Sequence, residues 1–185
     1  MNRFAGVNPA NGDALWYDKE GNITNVLRDS DRVLLGKSCN APFQGGFGTV
    51  FSWKGLSVSA QFSFVAGRYM VNKDRYFDES NGRFATYNQS RRLLERWKEP
   101  GDVTDIPRHG VFTEFDSRLL EDASFLRLKN LMLSYTFPKV RIYAQAQNLF
   151  TVTRFSGLDP EGVANIYAAQ YPMSRQFTFG LDLMF

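Results

Sequence analysis

Two neighbouring segments of this sequence alternate apolar and polar residues with a period of two, and only two residues separate them. The first segment is GFGTVFSW, the second is LSVSAQFSFVAG, and Lys54-Gly55 stands between them. Because successive side chains of a β-strand point to opposite faces, this pattern predicts two antiparallel strands joined by a tight turn. A two-residue turn sets Trp53 opposite Leu56, so the two apolar faces merge into one surface. The first constraint on the fold is therefore an antiparallel sheet with one apolar face.

Three further segments show the same alternation, and tight turns alternate with long loops between the segments. They are SFLRLKNLMLSYTF, VRIYAQAQNLF and QFTFGLDLMF. Pro138-Lys139 makes a tight turn, whereas the polar stretches 70–122 and 151–174 are long. Outer-membrane barrels combine short periplasmic turns with longer extracellular loops in this way. Following that parity, the last strand ends at Phe185 on the periplasmic side.

The composition fits strands that cross a membrane and excludes a membrane-spanning helix. Aromatic residues form 15% of the chain, yet the mean hydropathy is -0.34. No apolar run approaches the roughly 18–20 residues of a membrane helix, whereas a barrel strand needs only about 9–11 residues. The polar face keeps Gln145, Gln147, Gln176 and Asp182, as a solvated lumen would. We therefore predict an all-β fold, with about five antiparallel strands and a loop hairpin from the C-terminal part of a large transmembrane β-barrel.

The charge and the rare residues exclude several function classes. The net charge of +3 is small and spread along the chain, unlike the concentrated basic face of nucleic-acid-binding proteins. Cys39 is the single cysteine and cannot form an internal disulfide. His109 is the single histidine and cannot anchor a multi-histidine metal site. We expect no nucleic-acid partner, no metal and no cofactor.

The region 1–45 is predicted to be a long loop that contains one small hairpin. The string ALWYDKEGNITN indicates a two-strand ribbon that turns around 19–22. Four carboxylates of this region suggest a calcium site: Asp18, Glu20, Asp29 and Asp31. Their spacing does not fit an EF-hand loop, and solvated turn carboxylates are the alternative.

The polar stretch 70–122 holds candidate binding residues, because loops of this length are usually functional or disordered. Leu93, Leu94 and Trp97 have helical spacing beside several basic residues. This predicts either a basic amphipathic helix that binds a membrane or a partner, or a short helix that packs Trp97 on the barrel rim. Sugar recognition favours aromatic platforms with adjacent amides, and the candidates for substrate or lid contact are Tyr76, Phe77, Tyr87, Asn88 and Trp97. For Tyr76 and Phe77 the alternative is an aromatic belt at the membrane interface.

No catalytic set is present, so we predict that the protein is not an enzyme. The GxSxG, HExxH, CxxC, P-loop and dinucleotide-binding patterns are all absent. Asp102 with Asp105, and Asp159 with Glu161, could in principle serve a glycoside hydrolase, but solvated loop acids are the alternative. A soluble β-sandwich carbohydrate-binding module would need both sheet faces buried or paired, and one face here stays polar.

Eight strings follow one another along nearly the whole chain: AGVNPANGDALWYD, DRVLLGKS leading to GGF, SWKGLSVSAQFSF, RWKEPGDVTDIPR, DASFLRLKNLMLSYTFP, RIYAQAQNLFT, FSGLDPE and YPMSRQFTFGLDLMF. In this order they resemble the SusC/RagA-type TonB-linked outer-membrane transporters of Bacteroidetes. The resemblance implies a plugged barrel of roughly 22 strands. It also implies a SusD-like surface lipoprotein as a lid, a TonB complex that supplies energy through the plug, and import of glycans or, for some members, peptides.

The resemblance further implies that the chain is a fragment of a receptor, since no secretory signal precedes the first strand and the plug, the TonB-contacting segment and most of the barrel are missing. Its expected division is an extracellular loop at 1–45, a hairpin at 46–67, a long extracellular loop at 70–122, a hairpin at 124–150, an extracellular loop at 151–174 and a terminal strand at 175–185. In the family such a terminal strand is read by the barrel-assembly machinery. The residues that match are Phe177, Phe179, Leu181, Leu183 and Phe185.

Overall fold

The structure is a computed structural model that describes residues 1–84, 86–162 and 164–185. The strands are β1 (Arg3–Val7), β2 (Ala14–Tyr17), β3 (Ile23–Thr24), β4 (Phe43–Trp53), β5 (Leu56–Ala66), β6 (Tyr69–Asn72), β7 (Leu120–Asp122), β8 (Phe125–Thr136), β9 (Val140–Thr153), β10 (Ile166–Tyr167) and β11 (Gln176–Leu183). One α-helix, α1, spans Lys73–Asp78, and 3-10 helices span Asp29–Asp31, Arg91–Glu95 and Ser117–Leu119.

The chain forms two compact units, and each unit is assembled from separate segments. The loop unit comprises Met1–Lys37, Met70–Glu121 and Ala164–Ala169. The strand unit comprises Ser38–Tyr69, Asp122–Val163 and Gln170–Phe185. Most of the region 1–45 and nearly all of the polar stretch 70–122 therefore build a packed unit of their own, whereas most of the stretch 151–174 belongs to the strand unit.

The strand unit contains a five-stranded sheet in the order β11-β9-β8-β5-β4, with antiparallel pairing between neighbours. This confirms the prediction of an all-β fold with about five antiparallel strands. The first hairpin begins at Phe43, before the predicted boundary at 46. Strand β9 runs on to Thr153, beyond the predicted hairpin end at 150.

Two tight turns set the register of this sheet. Lys54 has φ 44° and Gly55 has φ 87°, so both central residues of the first turn are left-handed, as in the type I′ hairpins that match strand twist. Trp53 pairs with Leu56, which confirms the predicted register. In the second turn, the Phe137 amide donates to the Val140 carbonyl at 2.7 Å.

A β-bulge interrupts β8 at Lys129. In the ladder with β5, the neighbouring residues Gln61 and Phe62 pair with Asn130 and Leu128, so Lys129 is an extra residue. The bulge therefore shifts the alternation of β8. Even-numbered residues lie on the apolar face before the bulge, and odd-numbered residues lie on it after the bulge. Arg127 is thereby turned to the same face as Asn130.

The loop unit has two small sheets and a buried centre. Strands β1, β2 and β3 form an antiparallel sheet, and the β2–β3 turn is the hairpin predicted within 1–45. Strands β10, β6 and β7 form the second sheet. The Trp16 Nε1 group donates to Asp116 Oδ2 at 2.8 Å, and both residues are buried. A buried indole with a satisfied N–H ties β2 to the segment before β7.

The helix predicted around Leu93, Leu94 and Trp97 is present only as a short 3-10 helix at Arg91–Glu95, and the inclusion of Trp97 is wrong. A 3-10 helix ends at Glu95, and Trp97 follows it. The Trp97 amide donates to the Ile106 carbonyl at 3.0 Å, because the chain doubles back there instead of continuing a helix. The Trp97 indole donates to the Pro9 carbonyl at 3.0 Å. Trp97 therefore packs on the turn that contains Pro9 and Gly12.

Candidate functional site

One face of the five-stranded sheet is apolar across every strand. The row nearest the tight turns is Trp53, Leu56, Tyr135, Ile142 and Leu181, and the next row is Phe51, Val58, Leu133, Ala144 and Phe179. Phe179 is 79% exposed and Phe177 is 62% exposed. A continuous exposed apolar surface of this kind is what barrel strands present to lipid.

The opposite face is polar and mostly uncharged in its central rows. One row is Gly48, Gln61, Asn130, Gln147 and Gln176, and the row nearer the turns includes Ser52, Ser57, Ser134, Tyr143 and Gly180. Gln145 Nε2 donates to Asn130 Oδ1 at 3.0 Å. The Tyr143 ring lies over Gly180, where any Cβ would collide with it. Side-chain amides and hydroxyls on this face suit contact with water or with another polar surface.

Arg127 is the most buried cation of the polar face and the centre of an ion-pair network. Its side chain is 3% exposed. The guanidinium donates to Asp159 Oδ1 at 2.6 Å, to Glu161 Oε2 at 2.7 Å and to Thr151 Oγ1 at 2.8 Å. Lys129 donates to Glu161 at 2.7 Å. Because a buried charge is tolerated only when paired and hydrogen-bonded, this network fixes residues 159–161 against β8.

Asp159 is the anchor on the loop side of that network. Besides the bond from Arg127, it accepts the amides of Glu161 at 2.9 Å and Met173 at 2.8 Å. Burial, the largest influence, raises the pKa of Asp159, but the Arg127 side chain and these two amides together outweigh burial, so the pKa is lowered. The Asp159 carboxylate thus holds the backbone at Glu161 and the backbone at Met173 close together.

The carboxylate pairs considered for glycoside hydrolysis do not have the properties of a catalytic pair. The interpretation of Asp159 as a solvated loop acid is wrong, because it is buried and ion-paired. The Asp102 side chain accepts hydrogen bonds from the backbone amides of Lys98 and Glu99. These bonds, chiefly the one from Lys98, lower the pKa of Asp102. Asp105 pairs with Arg92 at 2.7 Å. A general acid of a glycosidase needs a raised pKa, and the pKa of Asp102 and of Asp159 is lowered instead, so neither residue has the pKa of such an acid.

Three of the five predicted contact residues lie together in the loop unit. We call the group Tyr76, Phe77, Phe84, Tyr87 and Phe115 the aromatic cluster. The Phe77 and Tyr87 rings stack at 5.1 Å, and Tyr76 meets Phe77 edge to face at 5.4 Å. Tyr76 also contacts Phe84 at 5.5 Å and Phe115 at 5.8 Å. Tyr87 is 51% exposed and Phe115 is 42% exposed, so the cluster presents part of its ring surface to solvent.

A cation lies at the margin of the aromatic cluster. The Arg83 guanidinium is 5.7 Å from the Tyr76 ring centre and 5.3 Å from that of Phe112, and it forms an ion pair with Glu114. Sequence reasoning missed Phe84, Phe115 and Arg83, although the density of aromatics around the string NGRF was a usable signal. The remaining predicted residues lie apart: Asn88 is exposed, and Trp97 packs near Pro9.

A second ion-pair network holds α1, which carries Tyr76 and Phe77, in place. Arg75 donates to Glu79 and to Glu121, each at 2.9 Å. Arg92 donates to Glu79 at 3.0 Å. The network links α1 to β7 and to the 3-10 helix at Arg91–Glu95. Tyr76 and Phe77 on α1 are therefore presented from a fixed element, which is what a binding surface requires.

Residues 1–84, 86–162 and 164–185 contain neither a metal-ligand cluster nor a membrane-spanning helix. No group of three or more His, Cys, Asp or Glu side chains there is placed to hold a metal ion, so the calcium hypothesis finds no site. Asp18 instead accepts the Asn22 amide at 2.7 Å within its turn. Within the same described residues, no helix has the length and apolar character needed to cross a bilayer.

The known proteins that this chain resembles in sequence are TonB-dependent receptors. The chain is similar to TonB-dependent receptor P3 of Formosa agariphila, with 28% identity over 94% of the chain and 19% of that receptor. It is 38% identical to the TonB-dependent receptor SusC of Bacteroides thetaiotaomicron over 36% of the chain and 8% of SusC. No protein-family model matches the chain.

A solved structure matches the chain with higher identity than receptor P3 does, and the match covers the whole of this chain. A chain of the RagAB peptide importer in its open-open state superposes on the whole of this chain with a TM-score of 0.92 and 39% identity. The chain is of the SusC/RagA TonB-dependent receptor type. This SusC/RagA-type chain covers 22% of the matched RagAB chain and spans about a fifth of the length of the curated receptors that it matches. The relatives are TonB-dependent receptors and a peptide importer, and the outer membrane is the location of this chain.

Proposed function

We propose that this chain forms part of the barrel wall of a TonB-dependent outer-membrane importer of glycans or other nutrients. The observation that carries the proposal is the match of the whole chain to the RagAB peptide importer, with a TM-score of 0.92. The exposed apolar face of the sheet supports it, because such a face is stable only when it is covered by lipid or by protein. The activity is transport and not catalysis.

The partners follow from the same relatives. We propose that a SusD-like surface lipoprotein closes the receptor from outside and that a TonB complex acts through a plug. In this arrangement the tight turns at Lys54-Gly55 and Pro138-Lys139 face the periplasm, and the loops at 1–45, 70–122 and 151–174 face outward. Short turns on one side and long loops on the other support this orientation. Strand β11 would be the strand recognised during barrel assembly.

The aromatic cluster is our candidate contact for substrate or for the lipoprotein lid. Flat, partly exposed rings next to Arg83 and Glu114 can stack on sugar rings or on aromatic side chains while the charges orient polar groups. The fixed position of α1 supports this role. The sequence also named Asn88 and Trp97, and Asn88 stays in the proposal as an exposed amide beside Tyr87 in the chain.

A soluble β-sandwich carbohydrate-binding module is the alternative. It requires a second sheet on the apolar face, and the exposure of Phe177, Phe179 and Phe51 disfavours it. Electrophoresis of the full-length receptor with and without heating separates the two functions. An intact barrel migrates differently when it is unheated, and the absence of a shift would contradict the transporter proposal.

Uptake tests the activity directly. Cells that carry the full-length receptor should accumulate a labelled oligosaccharide or a labelled oligopeptide, and cells without the receptor should not. Tyr87→Ala should lower uptake at limiting substrate, while Tyr17→Ala, at a half-buried tyrosine of the loop unit outside the aromatic cluster, serves as the control. Equal uptake with Tyr87→Ala and wild type would remove the aromatic cluster from the pathway.

A further inference from the structure

A groove of about 350 Å³ crosses the apolar face of the sheet near the two tight turns. Its apolar lining includes Leu56, Leu133, Tyr135, Ile142, Ala144 and Phe179. Ala144 pairs with Leu133 on one side and with Phe179 on the other. A methyl group between a leucine and a phenylalanine leaves a depression, because the neighbouring side chains rise above it. The volume suits a hydrocarbon chain, and most of the exposed lining is apolar, although Ser134 and Tyr143 also contribute to it.

Two lysines lie at the turn end of this groove. Lys54 and Lys139 occupy adjacent turns, which are linked where the Thr136 amide donates to the Gly55 carbonyl at 2.9 Å. The Lys54 Nζ atom lies 5.1 Å from the centre of the Trp53 ring, which belongs to the apolar face. The nearby acidic residue Asp182 lies on the opposite, polar face of the sheet, where it pairs with Arg141. The turn end of the apolar face therefore carries two lysines.

Aromatic side chains lie at the turn end of the groove, toward these lysines. Tyr135 and Phe137 have ring centres 4.7 Å apart, and both are exposed. Amphipathic rings of this kind lie at the level of lipid headgroups in membrane proteins, and lysine side chains reach from there to phosphates. The order along the strands is thus hydrocarbon groove, aromatic level, and then positive charge. This is the order of acyl chain, glycerol region and phosphate in a phospholipid.

We propose that the groove and its two lysines bind one phospholipid with an anionic headgroup from the leaflet that meets the tight turns. One acyl chain lies over Ala144, and the headgroup phosphate lies between Lys54 and Lys139. The acyl chain gains little by leaving bulk lipid for the groove, since both surroundings are apolar. The lysines therefore supply the selectivity for anionic lipid, and the groove supplies the position.

Charge disfavours a second copy of the chain as the occupant. Two copies in one membrane have their tight turns on the same side, so a symmetric contact through this groove would bring Lys54 and Lys139 of one copy close to the same lysines of the other, and like charges repel. An anionic lipid neutralises the lysines instead. The inference rests on the proposed function only because that function places the sheet across the outer membrane.

The test uses the full-length receptor in nanodiscs of phosphatidylethanolamine with a minority of phosphatidylglycerol, followed by native mass spectrometry of retained lipid. Wild type should retain phosphatidylglycerol above its share of the bilayer. The Lys54→Gln/Lys139→Gln variant should lower that preference about 25-fold, as expected for two charges near a lipid surface. Lys19→Gln, in the turn of the loop unit, is the matched control and should leave it unchanged.

The groove has its own pair of variants. Ala144→Leu should fill the depression and lower retention of both lipids without changing their ratio. Ala60→Leu, on the same apolar face but outside the lining, should have no effect. Heat-dependent migration verifies that each variant still forms a barrel, and the single lysine variants, each expected near fivefold, replace the double variant if it does not assemble.

The outcomes separate this inference from the proposed function. Unchanged phosphatidylglycerol preference in the lysine variants overturns the lipid site, and so does a receptor dimer that carries no lipid. If the intact wild-type receptor takes up neither labelled substrate, the importer proposal is wrong and the lipid site still stands. Retained uptake with no preferential lipid does the reverse.

Discussion

The Arg127 Nη2 atom donates to Asp159 Oδ1 at 2.6 Å, and both side chains are more than nine-tenths buried. The two residues are far apart in sequence, one on β8 and the other in the segment that follows β9. Their ion pair joins that segment to the polar face of the sheet. A barrel wall and its loop are therefore held together by charge at a position from which water is largely excluded.

Removing one member of this pair should free the loop. Arg127→Met leaves Asp159 buried without its counter-charge, and breaking such a pair costs about 3–5 kcal/mol. We expect residues 159–173 of the full-length receptor to become sensitive to limited proteolysis. Arg127→Met combined with Asp159→Leu should be less sensitive than the single variant, because neither charge is then orphaned. Arg141→Met, whose partner Asp182 is 4.0 Å away and half-exposed, is the control.

Acid should release the same segment. The pKa of Asp159 is lower in the folded protein than its ordinary value of 3.8, so the carboxylate stabilises the fold above pH 3.8 and loses this effect as the pH falls through the folded pKa. Amide-exchange protection of Glu161 and Met173, which donate to Asp159, should drop below about pH 4 after correction for intrinsic exchange rates. Equal protection at pH 3 and pH 7 would show that Asp159 does not hold the segment. Asp159→Asn should remove the transition.

Because Gly12 has no side chain, the Trp97 ring can pack against the turn that contains Gly12. Gly12 has φ +74°, and a Cβ there would lie 2.5 Å from the Trp97 Cε3 atom. Gly12→Ala should therefore combine backbone strain with a steric clash and lose about 2–4 kcal/mol of local stability, read as faster exchange of the Trp97 amide. Gly110, with φ +84° and open space around it, gives the matched control, since Gly110→Ala adds strain alone. Similar losses at both positions would mean that the ring yields without cost.

Expressed alone, this chain should neither transport nor fold into a stable monomer. Strands β4 and β11 lie at the edges of the sheet, and the apolar face has no cover in water. Open edges template aggregation. Size-exclusion chromatography after refolding in detergent-free buffer should show aggregates only. A monomer with a cooperative unfolding transition would contradict the prediction.

The sheet was predictable because its information is local. Alternation with period two gave the apolar face, and the two-residue turn placed Trp53 opposite Leu56, as observed. The bulge was not predicted, although Leu126 and Leu128 precede it and Leu131 and Leu133 follow it, which is the shifted alternation that a bulge produces.

The loops resisted prediction because their contacts span long stretches of chain. Trp97 donates to Pro9, 88 residues earlier, and Arg127 finds Asp159 32 residues later. No local pattern announces such partners, and the helical spacing of Leu93, Leu94 and Trp97 was outweighed by the return of the chain at Ile106. The aromatic cluster was only half recognised, since Phe84 and Phe115 join it through tertiary packing.

The bulge at Lys129 gives β8 a residue of spare length. Deleting Lys129 would straighten the strand and keep Leu128 toward lipid and Arg127 toward Asp159, at the cost of one ion pair with Glu161. Inserting a residue between Arg127 and Leu128 would instead turn Arg127 toward lipid unless the bulge grew. The strand can thus shorten by a residue more safely than it can lengthen, and gene libraries of deletions and insertions at this point should survive unequally.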